Sequence, residues 1–163
     1  MNRPEPTGLA AHAGRLLRDR GETVSVAEGS AGGLVSAALL SVPGASAYYL
    51  GGTVIYTMAA HRALLAGVVE PPAGMRGATE DFARYLAQSS VAKIGSTWGV
   101  GEAGAAGPPN RYGDPAGHAW VAVAGPVAAT RHVLTGLDDR AANMEAFAES
   151  ALALFVETLE ALG

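Results

Sequence analysis

Hydrophobic and polar positions along the chain change their spacing several times, and each change predicts a new helix or strand. From Thr7, which can cap a helix, to Arg20 the apolar residues recur at helical spacing. Residues 23–27 then alternate and are rich in β-branched side chains, as strands are. A helical pattern returns at Leu34 and continues to Leu40. These blocks predict a helix followed by a strand–turn–helix unit.

The same alternation continues to the end of the chain. Further strands are predicted at residues 48–56, 96–100, 119–124 and 130–134. Further helices are predicted at residues 59–66, after the cap Thr79 with Phe82, Leu86 and Ser90 or Val91 on the inner side, and from Asp138 or Asp139 onward. The last helix carries the apolar stripe Phe147, Ala151, Leu154, Phe155, Thr158 and Leu162. Alternating helices and strands with apolar residues on two sides predict a single-domain three-layer α/β/α sandwich over residues 1–163, with residues 1–6 frayed.

Glycine and proline mark two irregular places in this pattern. Gly51 and Gly52 interrupt the strand at 48–56 and indicate a bulge or a close backbone approach. Residues 101–117 are rich in both residue types and are predicted to form one long loop. A loop of that length is too long for a simple connector, and long loops are often functional.

The turn of the strand–turn–helix unit is the first candidate for a binding site. It contains the stretch Glu28-Gly29-Ser30-Ala31-Gly32-Gly33. A glycine-rich turn between a strand and a helix aims backbone N–H groups and the helix dipole at an anion. The stretch lacks the spacing of a dinucleotide fingerprint and the lysine of a P-loop. A ligand pocket and tight packing of the strand on the helix both stay open.

Composition excludes several kinds of chemistry. The chain has no cysteine, so disulfides, zinc–thiolate sites and a cysteine nucleophile are excluded. Its four histidines lack metal-ligand spacing, and we expect neither a metal nor a cofactor. The formal charge of −4 argues against a nucleic-acid partner. The polar start is not a secretory signal and no apolar run could span a bilayer, so we expect a cytoplasmic protein with no membrane partner.

Four side chains could carry chemistry. Ser30 begins a helix, where it can act as a cap or as a nucleophile assisted by the dipole. His61 could serve as a base, although a surface imidazole fits the pattern equally well. Glu28 and Glu102 each end a predicted strand and could form a carboxylate pair, but separate structural roles are the simpler interpretation.

Several motifs in fixed order give the chain a family resemblance. They are A-E-G-S-A-G-G, V-P-G-A-S, L-G-G-T-V-I-Y-T-M-A-A-H, L-A-G-V, G-A-T-E and A-G-P followed by D-P-A-G. The chain resembles the CinA C-terminal family, the nicotinamide mononucleotide deamidases, over nearly its whole length. The resemblance implies a single α/β/α domain, assembly into homo-oligomers, and a pocket for a pyridine mononucleotide. We therefore expect a small nucleoside- or mononucleotide-like ligand and self-association as the partners.

The departures from the family pattern fall on its catalytic and charged positions. The family's nucleophilic serine corresponds to Gly29, and its catalytic lysine corresponds to His61. A further lysine corresponds to Asp114, and an arginine of the last helix to Met144. The candidate ligand-binding residues are Glu28, Gly29, Gly32, Gly33, Tyr56, Gly104, Gly107 and Arg140, and all of them except Gly29 match the family pattern.

Three functions are therefore compatible with the sequence. The favoured one is a protein that binds a nucleotide-like ligand with weak or no deamidase activity. The second is an active amidohydrolase that uses Ser30 and His61, and the third is an oligomeric interaction protein without a ligand. The N–H groups near Ser30 are expected to attract an anion, but the loss of two lysines favours ligands without a 5′-phosphate.

Overall fold

A computed structural model describes residues 6–163, with the side chains described from Gly8 onward. Its helices are α1 (Pro6–Arg20), α2 (Leu34–Leu40), α3 (Met58–Leu64), α4 (Glu80–Ile94) and α5 (Arg140–Ala161), with a short 3₁₀ turn at Ala45–Ala47. Its strands are β1 (Val24–Glu28), β2 (Tyr49–Val54), β3 (Trp98–Ala105), β4 (His118–Ala124) and β5 (Ala129–Leu134). The predicted fraying of residues 1–6 falls outside the described residues, except that Pro6 begins α1.

The five strands form one mixed sheet in the order β2-β1-β3-β4-β5. β1 is parallel to both β2 and β3, whereas β4 is antiparallel to β3 and to β5. Thus β2, β1 and β3 end at the same edge of the sheet, and segments that follow them meet there. The antiparallel pairing of β5 with β4 confirms the predicted partner strand at 130–134.

Helices cover both faces of the sheet, so the predicted three-layer α/β/α architecture is confirmed. One apolar core joins α1, α2 and α5 to one face of the sheet, with Val26, Val100 and Val121 among its members. A second core joins α4 and the end of α3 to the other face, where Ala27 and Ala103 lie. No helix within residues 6–163 is long and apolar enough to cross a bilayer.

Small residues in β3 determine how closely α4 packs. A Cβ atom at Gly101 would clash with the carbonyl oxygen of Ala83, and one at Gly99 would clash with that of Ala87. The helix backbone therefore lies directly on the strand backbone. This contact explains the glycines at positions 99 and 101 of a central strand, although glycine by itself disfavours a strand.

That packing corrects the predicted loop at 101–117. Residues 101–105 belong to β3, and the loop covers only residues 106–117. Local sequence suggested a loop because glycine favours turns, whereas pairing with β1 and β4 holds these residues extended.

Most helix boundaries follow their predicted caps. The hydroxyl of Thr79 accepts a hydrogen bond from the N–H of Phe82, and the carboxylate of Asp139 accepts one from the N–H of Ala142. α1 begins at Pro6, one residue before the predicted cap Thr7. Leu162 follows the last helix and is 48% exposed, so the buried part of the predicted apolar stripe ends at Thr158.

The predicted irregularity of β2 is present in two forms. The register against β1 shifts at Leu50, which leaves an extra residue in β2. A Cβ atom at Gly52 would lie 2.6 Å from the Tyr49 hydroxyl and 2.7 Å from that of Ser36. Gly52 therefore allows α2 to approach this edge of the sheet.

Candidate functional site

The glycine-rich turn lies between the end of β1 and the start of α2, as predicted. Gly32 and Gly33 have φ angles of 68° and 102°, which place them in the left-handed region. A side chain at either position would be strained, so the two glycines are required by the turn itself. Met144 of α5 covers the turn, because a Cβ atom at Gly32 would lie 2.8 Å from its terminal methyl group.

The carboxylate of Glu28 caps α2 from inside the protein. It accepts hydrogen bonds from the N–H groups of Gly33, Val35 and Ser36 at 3.0–3.1 Å. The side chain is fully buried. A candidate ligand-binding residue thus occupies the helix N-terminus where a ligand anion would bind.

A second carboxylate, that of Glu102 on β3, occupies the preceding part of the turn. Its Oε1 accepts hydrogen bonds from the N–H groups of Gly29 at 3.1 Å and Ala31 at 2.8 Å. Its Oε2 accepts a hydrogen bond from the Ser30 hydroxyl. Like Glu28, Glu102 is completely buried.

The carboxylates of Glu28 and Glu102 occupy the place where the sequence predicted an anion site. Five amides of residues 29–36 that could hold an anion already donate to Glu28 or Glu102. A further anion at this helix end would also be repelled by two carboxylates if both were ionised. These hydrogen bonds argue against the predicted attraction of a ligand anion to the amides near Ser30, which stays a prediction.

Burial controls the protonation of both carboxyl groups. The pKa of Glu102 is raised to about 7, mainly by burial and to a smaller extent by the neighbouring Glu28, while the hydrogen bonds from Ser30, Ala31 and Gly29 act in the opposite direction. Burial also raises the pKa of Glu28, offset in part by the α2 amides. Neither group takes part in an ion pair between described residues.

A cavity of about 300 Å³, including its open mouth, lies beside this turn. Its walls are formed by Gly29, Ser30, Ile55, Tyr56, Gly77, Ala78, Phe82, Ala103 and Gly104. Gly77, Ala78 and Phe82 come from α4 and the segment before it. The other lining residues follow the ends of β1 and β2 or lie at the end of β3, where ligands bind in open α/β sheets. None of the described residues that line the cavity carries a charge, and Ser30 and Tyr56 supply its polar side chains.

The backbone of Gly104 also faces the cavity. The carbonyl of Glu102 accepts a hydrogen bond from Gly29 on the β1 side of β3, whereas that of Ala105 accepts one from Gly117 on the β4 side. Because N–H and C=O groups of successive strand residues point to opposite sides, those of Gly104 point toward β1. β1 ends at Glu28, so these groups lie beyond it and beside the cavity.

Three other predicted binding residues meet at the rim. The guanidinium of Arg140 donates to the Tyr56 hydroxyl at 2.9 Å and to the carbonyl of Gly107. Tyr56 is 63% exposed, and Arg140 is exposed as well. The start of α5 is thereby joined to the segment after β2 and to the loop at 106–117.

The proposed partner of Ser30 lies elsewhere. His61 is only 5% exposed, and its Nε2 is hydrogen-bonded to the Tyr85 hydroxyl at 2.6 Å. Its Nδ1 has no hydrogen-bond partner among the described residues, and burial lowers the pKa of the ring. The Ser30 hydroxyl donates to Glu102 instead. Ser30 and His61 therefore form no hydrogen-bonded pair.

Asp114, which stands where the family has a lysine, is paired with other side chains of the protein. Its carboxylate accepts hydrogen bonds from Arg76 and Asn110, both at 2.8 Å. The bond from Arg76 is the main reason that the pKa of Asp114 is lowered. No group of three potential metal ligands occurs in the described part of the chain.

The sequence favoured only a structural role for Glu102, whereas the structure places it in contact with Ser30 in the cavity wall. A carboxylate among small, buried strand residues was a usable signal, because ionisable side chains are rarely fully buried without a specific role. Its contact with Ser30, 72 positions earlier, became visible only in three dimensions.

Together, the fold and the site define an α/β/α domain with a small neutral cavity at the carboxyl ends of parallel strands. The chain belongs to the CinA C-terminal domain family, whose sequence profile matches residues 6–159. A CinA-like protein of Prochlorococcus marinus is 42% identical over 113 residues, which cover 68% of this chain and 26% of that protein. A CinA-like protein of Salinibacter ruber is 38% identical over 148 residues, covering 88% of this chain and 35% of the relative. The chain thus spans about a quarter to a third of these relatives' length.

Solved structures of the same superfamily match nearly end to end. A competence-damaged protein (CinA) superfamily protein from Klebsiella pneumoniae superposes with a TM-score of 0.87 at 25% identity, covering 96% of this chain and 98% of that one. A competence/damage inducible protein from Agrobacterium tumefaciens gives a TM-score of 0.84 at 26% identity, with 95% of each chain covered. The α/β fold implied by the resemblance is confirmed.

Proposed function

We propose that this chain binds a small nucleoside-like ligand, uncharged or singly charged, in the cavity beside the glycine-rich turn. The observation that carries the proposal is a neutral cavity wall backed by two buried carboxylates. Phe82 and Tyr56 supply aromatic surface for a planar ring, and Ser30 and Gly104 supply polar groups for its substituents.

The charges around the cavity favour a ligand without a 5′-phosphate. Two charges about 8 Å apart interact by roughly 2 kcal/mol at an effective dielectric constant near 20, so an ionised Glu28 or Glu102 would oppose a phosphate. Arg76 is paired with Asp114. Arg140 is exposed at the rim and already donates to Tyr56 and Gly107. Its charge is therefore screened by solvent.

The substitutions also favour weak or no deamidation of nicotinamide mononucleotide. Gly29 has no hydroxyl, and His61 is bonded to Tyr85 outside the cavity wall. Removing a hydrolase nucleophile typically lowers turnover about a millionfold. We expect ammonia release at background, measured beside a family member that retains the serine and lysine. Turnover comparable to that member would overturn this part of the proposal.

Calorimetry at low salt tests the ligand. Nicotinamide riboside should bind more tightly than nicotinamide mononucleotide to the wild-type protein. Tenfold tighter binding of the mononucleotide would contradict the charge argument, and repeating the titration with Arg140→Gln would show whether Arg140 supplies the anion site. Binding of neither compound would favour the third function, an interaction protein with an empty cavity.

Self-association and a cytoplasmic location complete the proposal. Leu50 and Val54 on the edge strand β2 are exposed, as are Leu34 and Leu40 on the neighbouring α2. Apolar side chains grouped at a sheet edge are suited to contact with a second copy of the chain. Light scattering that gives the monomer mass at micromolar concentration would contradict the homo-oligomer.

A further inference from the structure

Ser30 and Glu102 form a hydrogen-bonded pair in the wall of the cavity. The Ser30 hydroxyl donates to Oε2 of Glu102, and Ser30 lines the cavity. We infer that Ser30 and Glu102 act as a nucleophile–base pair that hydrolyses small activated acyl esters in this cavity. This activity goes beyond ligand binding and does not require a nucleoside.

The surroundings hold Glu102 in the orientation that a base needs. Its Oε1 is fixed by the N–H groups of Gly29 and Ala31, which leaves Oε2 for Ser30. A nucleophile bonded to a base that is itself oriented by further groups is the arrangement that activates serine in hydrolases. Full burial keeps bulk water from competing for the Glu102 carboxylate.

A donor for the developing oxyanion lies nearby. The N–H of Gly104 faces the cavity beyond the end of β1, and Gly104 lines the same cavity as Ser30. A backbone N–H group aimed at the carbonyl oxygen stabilises the tetrahedral intermediate of acyl transfer.

The chemical steps balance without another reactant besides water. The Ser30 oxygen bonds to the ester carbonyl carbon as its proton passes to Glu102, and the carbonyl electron pair moves to oxygen. When the carbonyl re-forms, the alkoxide leaves and takes the proton from Glu102, which gives an acyl-serine. Water then attacks the acyl group, Glu102 takes the water proton, and Ser30 leaves and recovers it. The net reaction converts ester and water into carboxylic acid and alcohol.

The protonation of Glu102 suits this role. Its pKa is raised to about 7, mainly by burial, so a substantial fraction is ionised at neutral pH. Glu28 on β1 is the charged group that acts on it, and it raises the pKa. The serine should therefore become more reactive as pH rises through about 7 and level off above it.

Hydrolysis of p-nitrophenyl acetate by the intact chain measures the activity. Ser30→Ala should abolish the rate above background. Glu102→Gln keeps the shape and can still accept from both amides, but its NH₂ group cannot take a proton, so the rate should fall about 100-fold or more. Ser46→Ala, which removes an exposed hydroxyl in the 3₁₀ turn, is the matched control and should leave the rate unchanged.

Labelling of the wild-type protein with a fluorophosphonate keeps the test independent of how the variants fold. Mass spectrometry should place the label on Ser30, and the labelling rate should inflect near pH 7. Absence of label from Ser30, or labelling without that inflection, would overturn the inference. An unchanged esterase rate in Glu102→Gln would also overturn it. Failure of nicotinamide riboside to bind would contradict the proposed function and leave these results unaffected.

Discussion

Glu28 and Glu102 are register partners on the parallel strands β1 and β3, and their carboxylates accept hydrogen bonds from successive parts of the same turn. Glu102 binds the amides of Gly29 and Ala31, and Glu28 binds those that follow, at the start of α2. The turn that resembles an anion-binding loop is thus built around two internal carboxyl groups. This pairing has consequences for stability, for reactivity and for the ligand that the cavity accepts.

The first prediction concerns the pH dependence of stability. The folded-state pKa of Glu102 is raised from 4.5 to about 7, so the native state binds more protons than the unfolded state between these values. The stability that protonation of Glu102 contributes is fully present below about pH 4.5 and is lost as pH rises through 7. The free energy of unfolding should fall by roughly 3 kcal/mol, an order-of-magnitude figure. Glu102→Gln should remove this loss.

Urea unfolding at pH 5 and pH 8 checks this prediction. The free energy of unfolding of Glu102→Gln relative to wild type should increase between the two pH values. Glu157→Gln serves as the control, because Arg131 lowers the pKa of that exposed carboxylate from 4.5 and its titration therefore lies below both pH values. The difference in the free energy of unfolding between Glu157→Gln and wild type should stay the same at pH 5 and pH 8. A constant difference between Glu102→Gln and wild type would contradict the raised pKa.

The second prediction concerns restoring the family serine. A Cβ atom at position 29 would lie 3.0 Å from the Ile55 carbonyl oxygen and 3.6 Å from that of Glu102, both backbone atoms. Gly29→Ser should therefore lower the free energy of unfolding by about 1–3 kcal/mol. Gly29→Ala adds the same Cβ without the hydroxyl and should show a similar loss in urea denaturation. A neutral effect of both changes would show that the backbone there adjusts easily.

Adding a lysine tests the chemistry separately. Gly29→Ser with His61→Lys should recover ammonia release from nicotinamide mononucleotide only if the new ammonium can leave the buried site beside Tyr85. Because a buried ammonium is strongly disfavoured, we expect little recovery. Turnover well above that of Gly29→Ser alone would show that position 61 can reach the cavity.

The third prediction concerns the buried imidazole. Tyr85→Phe removes the hydrogen-bond partner of His61 Nε2, and Nδ1 has none among the described residues. A buried ring left without hydrogen bonds should lower the free energy of unfolding by about 1–3 kcal/mol. Tyr112→Phe, which changes an exposed tyrosine, should alter thermal stability very little. Equal melting temperatures for the two variants would argue against a structural role for the His61–Tyr85 bond.

The fourth prediction concerns the contact between α4 and β3. Gly101→Ala forces a methyl group against the Ala83 carbonyl oxygen, and we expect a loss of several kcal/mol or a failure to fold. Gly8→Ala on α1 meets nothing within 4 Å and should stabilise the helix by about 0.5–1 kcal/mol. Circular dichroism during thermal unfolding compares the two, and tolerance of Gly101→Ala would contradict the packing argument.

Features that depend on neighbouring residues were determined by the sequence. The strand at 23–27, the helix from Leu34 to Leu40 and the cap at Thr79 follow from local periodicity and capping, and the structure has them within a residue or two. The differences from the family motif at Gly29 and His61 were likewise identified by comparing single positions. Such features need no knowledge of what the chain packs against.

Tertiary structure decided the features that join distant parts of the chain. Residues 101–105 are a strand because β1, β4 and α4 surround them, although their own composition favours a loop. The Ser30 hydroxyl donates a hydrogen bond to Glu102, 72 residues away, and His61 is hydrogen-bonded to Tyr85 on another helix. A buried polar group needs a hydrogen-bond partner. Which partner lies within reach depends on how the helices pack against the sheet, and local sequence spacing does not show this.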